Sequence, residues 1–333
     1  MANFGYIGAA PAQSAGANKG ILNNKDIIDL KNRTPEQIFG DFINLDFFAC
    51  AGGGGGGGGT IQHGVGVTFG GGGGAGEAIL SENNKTYFKL GTTYAITIGA
   101  GGVKGDGASS AGGSGQQGSA GGNTTIVNET GTITLLGGGG GGGTSGHATG
   151  SAGSSGGSGG GGGAGTSSGG SGGASTASAG VGNAGGAGLG GNGARGGFGG
   201  GATAAGQSQN VTNVLPYGYY SLEYLQGGGN PPARNGYYID WIKAESVGRG
   251  STLARGGGNS STTNDAISNT GHGGMGVYNA GSTGMHGGSG IVAFRYPASL
   301  TITASSATVT TATVGNNKIT EVTASSGGTV RWD

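Results

Sequence analysis

Short runs of β-branched and aromatic residues, each bounded by glycine, recur along a chain that has almost no helical periodicity. The runs at residues 45–51, 65–69, 94–98, 124–127, 132–136 and 291–296 read as strands. Several end directly in glycine, as where Leu135 and Leu136 meet Gly137. Strands that feed glycine tracts give those tracts fixed ends, which a flexible linker does not need. A helix is predicted over residues 35–42, with Thr34 as N-cap, Pro35 at the first helical position and Gln37 reaching back as the capping-box partner. Towards the C-terminus, Leu300, Ile302, Val309, Ile319, Val322, Val330 and Trp332 predict a small hairpin-rich cap, with a hairpin across residues 318–332.

What separates these runs is glycine, 92 residues of 333, in unbroken tracts such as 52–59 and 137–143. Each glycine costs about 0.5–1 kcal/mol of folding free energy relative to alanine, so the tracts are either flexible linker or ordered by something that needs bare backbone. Between residues 150 and 201 the other residues often recur at every third position: Ser155 and Ser158; Ser168, Ser171 and Ala174; Ala184 and Ala187; Leu189, Asn192, Arg195 and Phe198. A period of three is that of the extended left-handed helix, and it places these side chains along one edge with backbone on the other two. Helices bare on two edges can approach closely and exchange the backbone hydrogen bonds that burial requires. Collagen, which needs glycine on one edge and far more than six prolines, is excluded. The expected fold class is therefore mainly β with extensive polyglycine II helices. Strands flank a packed glycine-rich body, with a short N-terminal helix and a C-terminal β-hairpin cap.

Three regions follow. Residues 1–43 form an arm that is too small to fold alone; Ile27, Ile28, Leu30, Ile38, Phe39 and Phe42 are its candidate docking residues, on a partner or on the chain's own body. Residues 44–297 are the glycine-rich body and residues 298–333 the cap. An aromatic insertion at residues 211–245 interrupts the body with Tyr217, Tyr219, Tyr220, Tyr224, Tyr237, Tyr238 and Trp241, around a turn that contains Arg234. These rings supply either the core that glycine cannot, or an exposed recognition surface rich in rigid amphipathic groups.

Charge and chemistry narrow the functions. Acidic and basic residues balance at fifteen each, which gives no electrostatic steering towards nucleic acid or an anionic membrane. No apolar run is long enough for a membrane span, so membrane insertion is not expected, nor is a secretory leader. The lone Cys50 reads as a small core residue, the four histidines have no metal-ligand spacing, and no Gly-Lys phosphate loop occurs. Neither cofactor nor metal is expected. Glu223, Asp240 and Glu245 are the only carboxylates grouped near the aromatic insertion, and an enzyme is not expected.

The residues 44–51 (Asn-Leu-Asp-Phe-Phe-Ala-Cys-Ala) before polyglycine, 94–102 ending in Gly-Ala-Gly-Gly, and the closing run 287–297 (Gly-Gly-Ser-Gly-Ile-Val-Ala-Phe-Arg-Tyr-Pro) together resemble the glycine-rich domain of bacteriophage tail-fibre and other virion proteins, marine phages especially. The architecture also resembles the polyglycine-helix adhesins at the fibre tips of T-even-like phages. The resemblance implies a virion protein, made in the infected host cytoplasm and located in the tail or fibre. Its arm would dock on other tail or fibre proteins, and a homotrimer is compatible with that setting. Its loops and Tyr217, Tyr219, Tyr220, Tyr224, Arg234, Tyr237, Tyr238 and Trp241 would meet a host polysaccharide or outer-membrane protein. The alternative is a structural or decoration protein of the tail or capsid that binds no receptor.

Overall fold

The structure, a computed structural model, describes residues 42–62, 66–84, 87–108, 110, 112–129, 131–191, 194–208, 237–238, 252–253, 259–260, 265–277 and 283–333. Its strands are β1 (Leu45–Cys50), β2 (Thr60–Gln62), β3 (Gly66–Thr68), β4 (Ala78–Asn84), β5 (Thr93–Thr97), β6 (Thr124–Asn128), β7 (Gly131–Leu135), β8 (Tyr237–Tyr238), β9 (Thr252–Leu253), β10 (Asn259–Ser260), β11 (Gly276–Val277), β12 (Ile291–Pro297), β13 (Ile302–Val314) and β14 (Asn317–Trp332). The chain is mainly β, with no helix among the described residues.

Eight strands form one antiparallel sheet in the order β4-β1-β12-β14-β5-β6-β7, with β13 on the other edge of β14. The long strand β14 is the hinge of this head. Its first half pairs with β12 and its second half with β5, so the two arms of the sheet turn towards each other and nearly close. Between the arms lies an aromatic core in which the Trp332 indole meets Phe294 edge-on at 4.9 Å, Phe88 at 5.5 Å and Tyr94 at 5.7 Å. Such edge contacts are each worth about 0.5–1.5 kcal/mol beyond the area they bury.

Strand β1 is apolar almost throughout because both of its faces are covered. Leu45, Phe47 and Ala49 join the aromatic core, while Phe48 and Cys50 point the other way, into a second cluster with Ala75, Ala78 and Ala202. The same alternation divides β12 into Val292, Phe294 and Tyr296 on one face and Ile291 and Ala293 on the other. The one charge in β1, Asp46, sits opposite Arg295 and accepts a hydrogen bond of 2.7 Å from its Nε.

Below the head the glycine tracts lie side by side, joined by backbone hydrogen bonds whose partner changes with a period of three. Gly52, Gly55 and Gly58 donate to Gly122, Ser119 and Gln116; Gly53 and Gly56 donate to Gly288 and Met285; Gly54 and Gly57 donate to Gly74 and Gly71. The carbonyls of the same tract accept from Gly102, Gly105 and Ala108, from Gly138, Gly141 and Thr144, and from Gly274. One buried tract thus has a neighbour in six directions. A second, at residues 157–165, is surrounded in the same way. No room remains for side chains: a Cβ on Gly54 would lie 2.1 Å from the Gly139 oxygen, and one on Gly57 would lie 2.1 Å from the Gly142 oxygen.

At the rim the period shows as exposure. Ser168, Ser171 and Ala174 face solvent, as do Val181, Ala184 and Ala187, while Gly170, Gly173, Gly186 and Gly188 are buried. Two of the predicted rim residues lie inside instead: Ser158 belongs to the surrounded tract and Phe198 is 1 % exposed. A period of three says that residues share an edge, but only the number of neighbours decides whether that edge is covered.

Two local expectations change. The predicted helix ends at Phe42, which instead forms an antiparallel bridge with Lys89; residues 1–41 lie outside the described part. Residues 318–332 are one strand rather than a hairpin, and the hairpin is β13–β14, turning at Gly315 and Asn316. Gly315 has a φ of 60°, which a two-residue hairpin turn demands and glycine adopts without strain. Strands β2, β4, β8, β9, β10 and β11 were not predicted.

Candidate functional site

The sequence placed recognition in the aromatic insertion and in the loops that end the tracts. Of the insertion, Tyr237 and Tyr238 form β8 and pair antiparallel with Leu253 and Thr252 of β9. Tyr217, Tyr219, Tyr220, Tyr224, Arg234 and Trp241 lie outside the described residues. In the arm, Ile27, Ile28, Leu30, Ile38 and Phe39 lie outside them as well. Phe42 is half-buried on the head, with the Lys89 ammonium 4.8 Å from its ring centroid.

The loops sort into two ends. Strands β1, β5 and β7 run out of the head into tracts, and tracts return into β4, β6 and β12. The tract from Gly52 to Gly58 carries the chain away from the head, its N–H donors passing along the neighbouring tract from Gly122 to Ser119 to Gln116. At that far end lie the paired strands β2 and β3 and the turns at residues 145–148 and 165–168. The two turns are composed mostly of small and hydroxyl-bearing residues. Thr60 Oγ1 donates to the Gly113 carbonyl at 2.7 Å, the Ala148 N–H donates to Ser145 Oγ at 3.1 Å, and the Thr149 and Ser168 hydroxyls are 2.8 Å apart. His147 is exposed and lies over Gly112, where a Cβ would come within 2.2 Å of its Nε2. The Arg195 guanidinium stands 5.7 Å from the centroid of the Phe69 ring, at the mouth of the tract that begins there. This end face offers hydroxyls, an imidazole and a cation on a support joined by backbone hydrogen bonds.

Near the head, Glu77 does structural work that the sequence reading missed. Its carboxylate is buried, and Oε1 accepts the consecutive N–H groups of Ser178, Ala179 and Gly180 at 2.8, 2.7 and 2.5 Å. Oε2 accepts the Leu136 N–H at 2.9 Å. One side chain therefore fastens the end of β7, the start of β4 and the first turn of the tract at residues 180–190. The signal was present: Glu77 is a lone charge that follows a run of eight glycine, alanine and phenylalanine residues just before β4.

The groups whose titration burial shifts lie in the head and point to packing. Burial pushes the Cys50 thiol up to about 12, only partly opposed by a hydrogen bond from the Ile291 backbone. Burial also raises the Tyr87, Tyr94 and Tyr296 phenols, although Tyr94 takes a hydrogen bond from the Lys89 N–H and Tyr296 shares one with Thr320. Among the described residues no group of three histidine, cysteine or carboxylate side chains could hold a metal ion, and no helix is long and apolar enough to cross a membrane.

The chain matches the family described as a glycine-rich domain over residues 38–297, most of its length, and belongs to that family. No curated protein matches it.

Proposed function

We propose that this glycine-rich domain protein is a bacteriophage virion component, a tail-fibre or tail-tip adhesin that attaches to the host surface through loops on a rigid scaffold. In this reading the body is a bundle of polyglycine II helices. The exchange of hydrogen bonds at every third residue in residues 52–58 supports it, because a three-residue turn alone sends successive N–H groups to three different neighbours.

The single observation that carries the adhesin reading is the separation of the two ends. The side-chain core and the entry point of residues 1–41 lie at the head, and the polar turns lie at the other end of a backbone-bonded support. The arm is then the docking element for other tail or fibre proteins. The far turns and the aromatic insertion, with Tyr217, Tyr219, Tyr220, Tyr224, Arg234, Tyr237, Tyr238 and Trp241, form the recognition surface. Aromatic faces and an arginine fork suit sugar rings and the carboxylates or phosphates of a cell envelope.

Soluble chain added to susceptible cells competes with phage adsorption if the reading is right. The double variant Tyr237→Ala/Tyr238→Ala loses that competition while keeping the melting temperature of the parent. No competition by the parent chain favours the structural or decoration role. Unfolding of the double variant places the two tyrosines in a core.

A further inference from the structure

Among the described residues three strands, β4, β7 and β13, end the pairing order of the head, and they are not treated alike. Strand β4 is seven residues long, carries Glu82 and bridges Val181 at its first residue; β7 is only five residues long. Short edges and edge charges are the ordinary guards against pairing with another chain. Strand β13 has neither. It runs thirteen residues from Ile302 to Val314 without a charge, a proline or a glycine, and among the described residues it pairs with β14 alone. Bulges at Ser305–Ala307 and Thr308–Val309 distort its first half. From Val309 to Val314 the ladder is regular, and Thr310, Thr311, Ala312, Thr313 and Val314 are all exposed.

That regular stretch reads Val-Thr-Thr-Ala-Thr-Val, which is close to its own reverse. Laid antiparallel against a copy of itself, it sets Val309 opposite Val314, Thr310 opposite Thr313 and Thr311 opposite Ala312. Each of these is a favourable or neutral cross-strand pair, and every contact is repeated by the twofold axis, as an isologous interface requires. The chain's formal net charge of zero adds no repulsion between copies.

We propose that β13 is a homodimerisation edge, on which a second copy of this chain adds its own β13 antiparallel and extends the sheet across a twofold axis. The partner is the same chain because only a neutral strand of the same sequence meets both the lack of charge and the mirrored order. The interface lies on the head and does not depend on the adhesin reading.

Sedimentation of the full chain tests it. The expected species has twice the 31.3 kDa of one chain, and the variant Thr310→Lys/Ala312→Lys sediments at 31.3 kDa with an unchanged melting temperature. Should that variant fail to fold, an equimolar mixture of Thr310→Cys and Thr313→Cys chains gives the second readout. Under mild oxidation it forms a covalent dimer that Thr310→Cys alone does not, and the buried Cys50 stays out of the reaction. A monomeric or trimeric parent overturns the proposal, as does a dimer that survives both lysines or a mixture that does not cross-link. A monomer in which a photo-crosslinker at residue 310 captures residues 1–41 of its own chain would assign the edge to the arm instead.

Discussion

Head and body solve the problem of burial in opposite ways. In the head, side chains fill the space between two arms of a sheet, and Trp332, Phe88, Phe294, Tyr94 and Tyr296 supply the buried area. In the body there is almost nothing to bury except the main chain, and each tract is held by hydrogen bonds to its neighbours. Atoms are lost at a cost in the first region and added at a cost in the second. A side-chain core tolerates some change of shape, because neighbouring rotamers shift. A backbone core has no rotamers, so a single methyl group meets a carbonyl that belongs to another tract.

Mutations that move in opposite directions test this contrast. Trp332→Ala removes the largest buried side chain of the head and should cost about 3–5 kcal/mol, read as a fall in the denaturation midpoint. Gly57→Ala adds only one carbon, yet that carbon falls 2.1 Å from the Gly142 oxygen and 2.6 Å from its carbonyl carbon. We expect a loss near or above the roughly 3 kcal/mol upper range for overpacking, with amide exchange in the body accelerated before that in the head. If Gly57→Ala is as mild as an exposed substitution, the body is not ordered by close backbone contact.

Among the described residues, the groups that burial shifts towards alkaline pH all lie in the head. Cys50 is neutral when folded, its thiol held near 12 by burial against a usual value of 9.0. Between those values the unfolded chain sheds a proton that the folded chain keeps, so stability is intact below about pH 9 and falls as pH rises towards 12. The raised Tyr87, Tyr94 and Tyr296 phenols act in the same direction above their usual 10.0. Alkylation of Cys50 at pH 9 should therefore follow unfolding, and modification of the folded chain would contradict the burial. The smallest effect belongs to the rim, where Ser171→Ala should change stability by no more than about 0.5 kcal/mol, by the same melts.

The strands that feed tracts were legible because an apolar run that stops at glycine has two covered faces and a fixed end, as β1 and β12 do. Strand β4 was not, because Ser81, Glu82, Asn83 and Asn84 hide the strand character of Ala78, Ile79 and Leu80. Period-three spacing in the sequence has a counterpart in the hydrogen-bond partners that repeat every third residue, but it did not give the cross-section of the body: Ser158 and Phe198 share the rhythm of exposed residues yet are enclosed. The central place of β14 was likewise hidden, since nothing in its sequence says that one half will face β12 and the other β5. For the proposed recognition surface, aromatic density singled out the insertion, and only the fold revealed that the tract turns gather at one end.

The tract at residues 113–122 keeps Gly115 and Gly118 inward and turns Gln116, Gln117, Ser119 and Ala120 outward, whereas the tract at 52–59 is bare at every position. The proportion of glycine in a tract thus records how far from the axis it sits, as a ring in timber records its distance from the pith. Length is constrained in the same way. Because the hydrogen-bond partner of residues 52–58 repeats every third residue, inserting one residue there would set every donor beyond it against the wrong neighbour. Such a body can lengthen only in steps of three residues, and only if its neighbours lengthen with it.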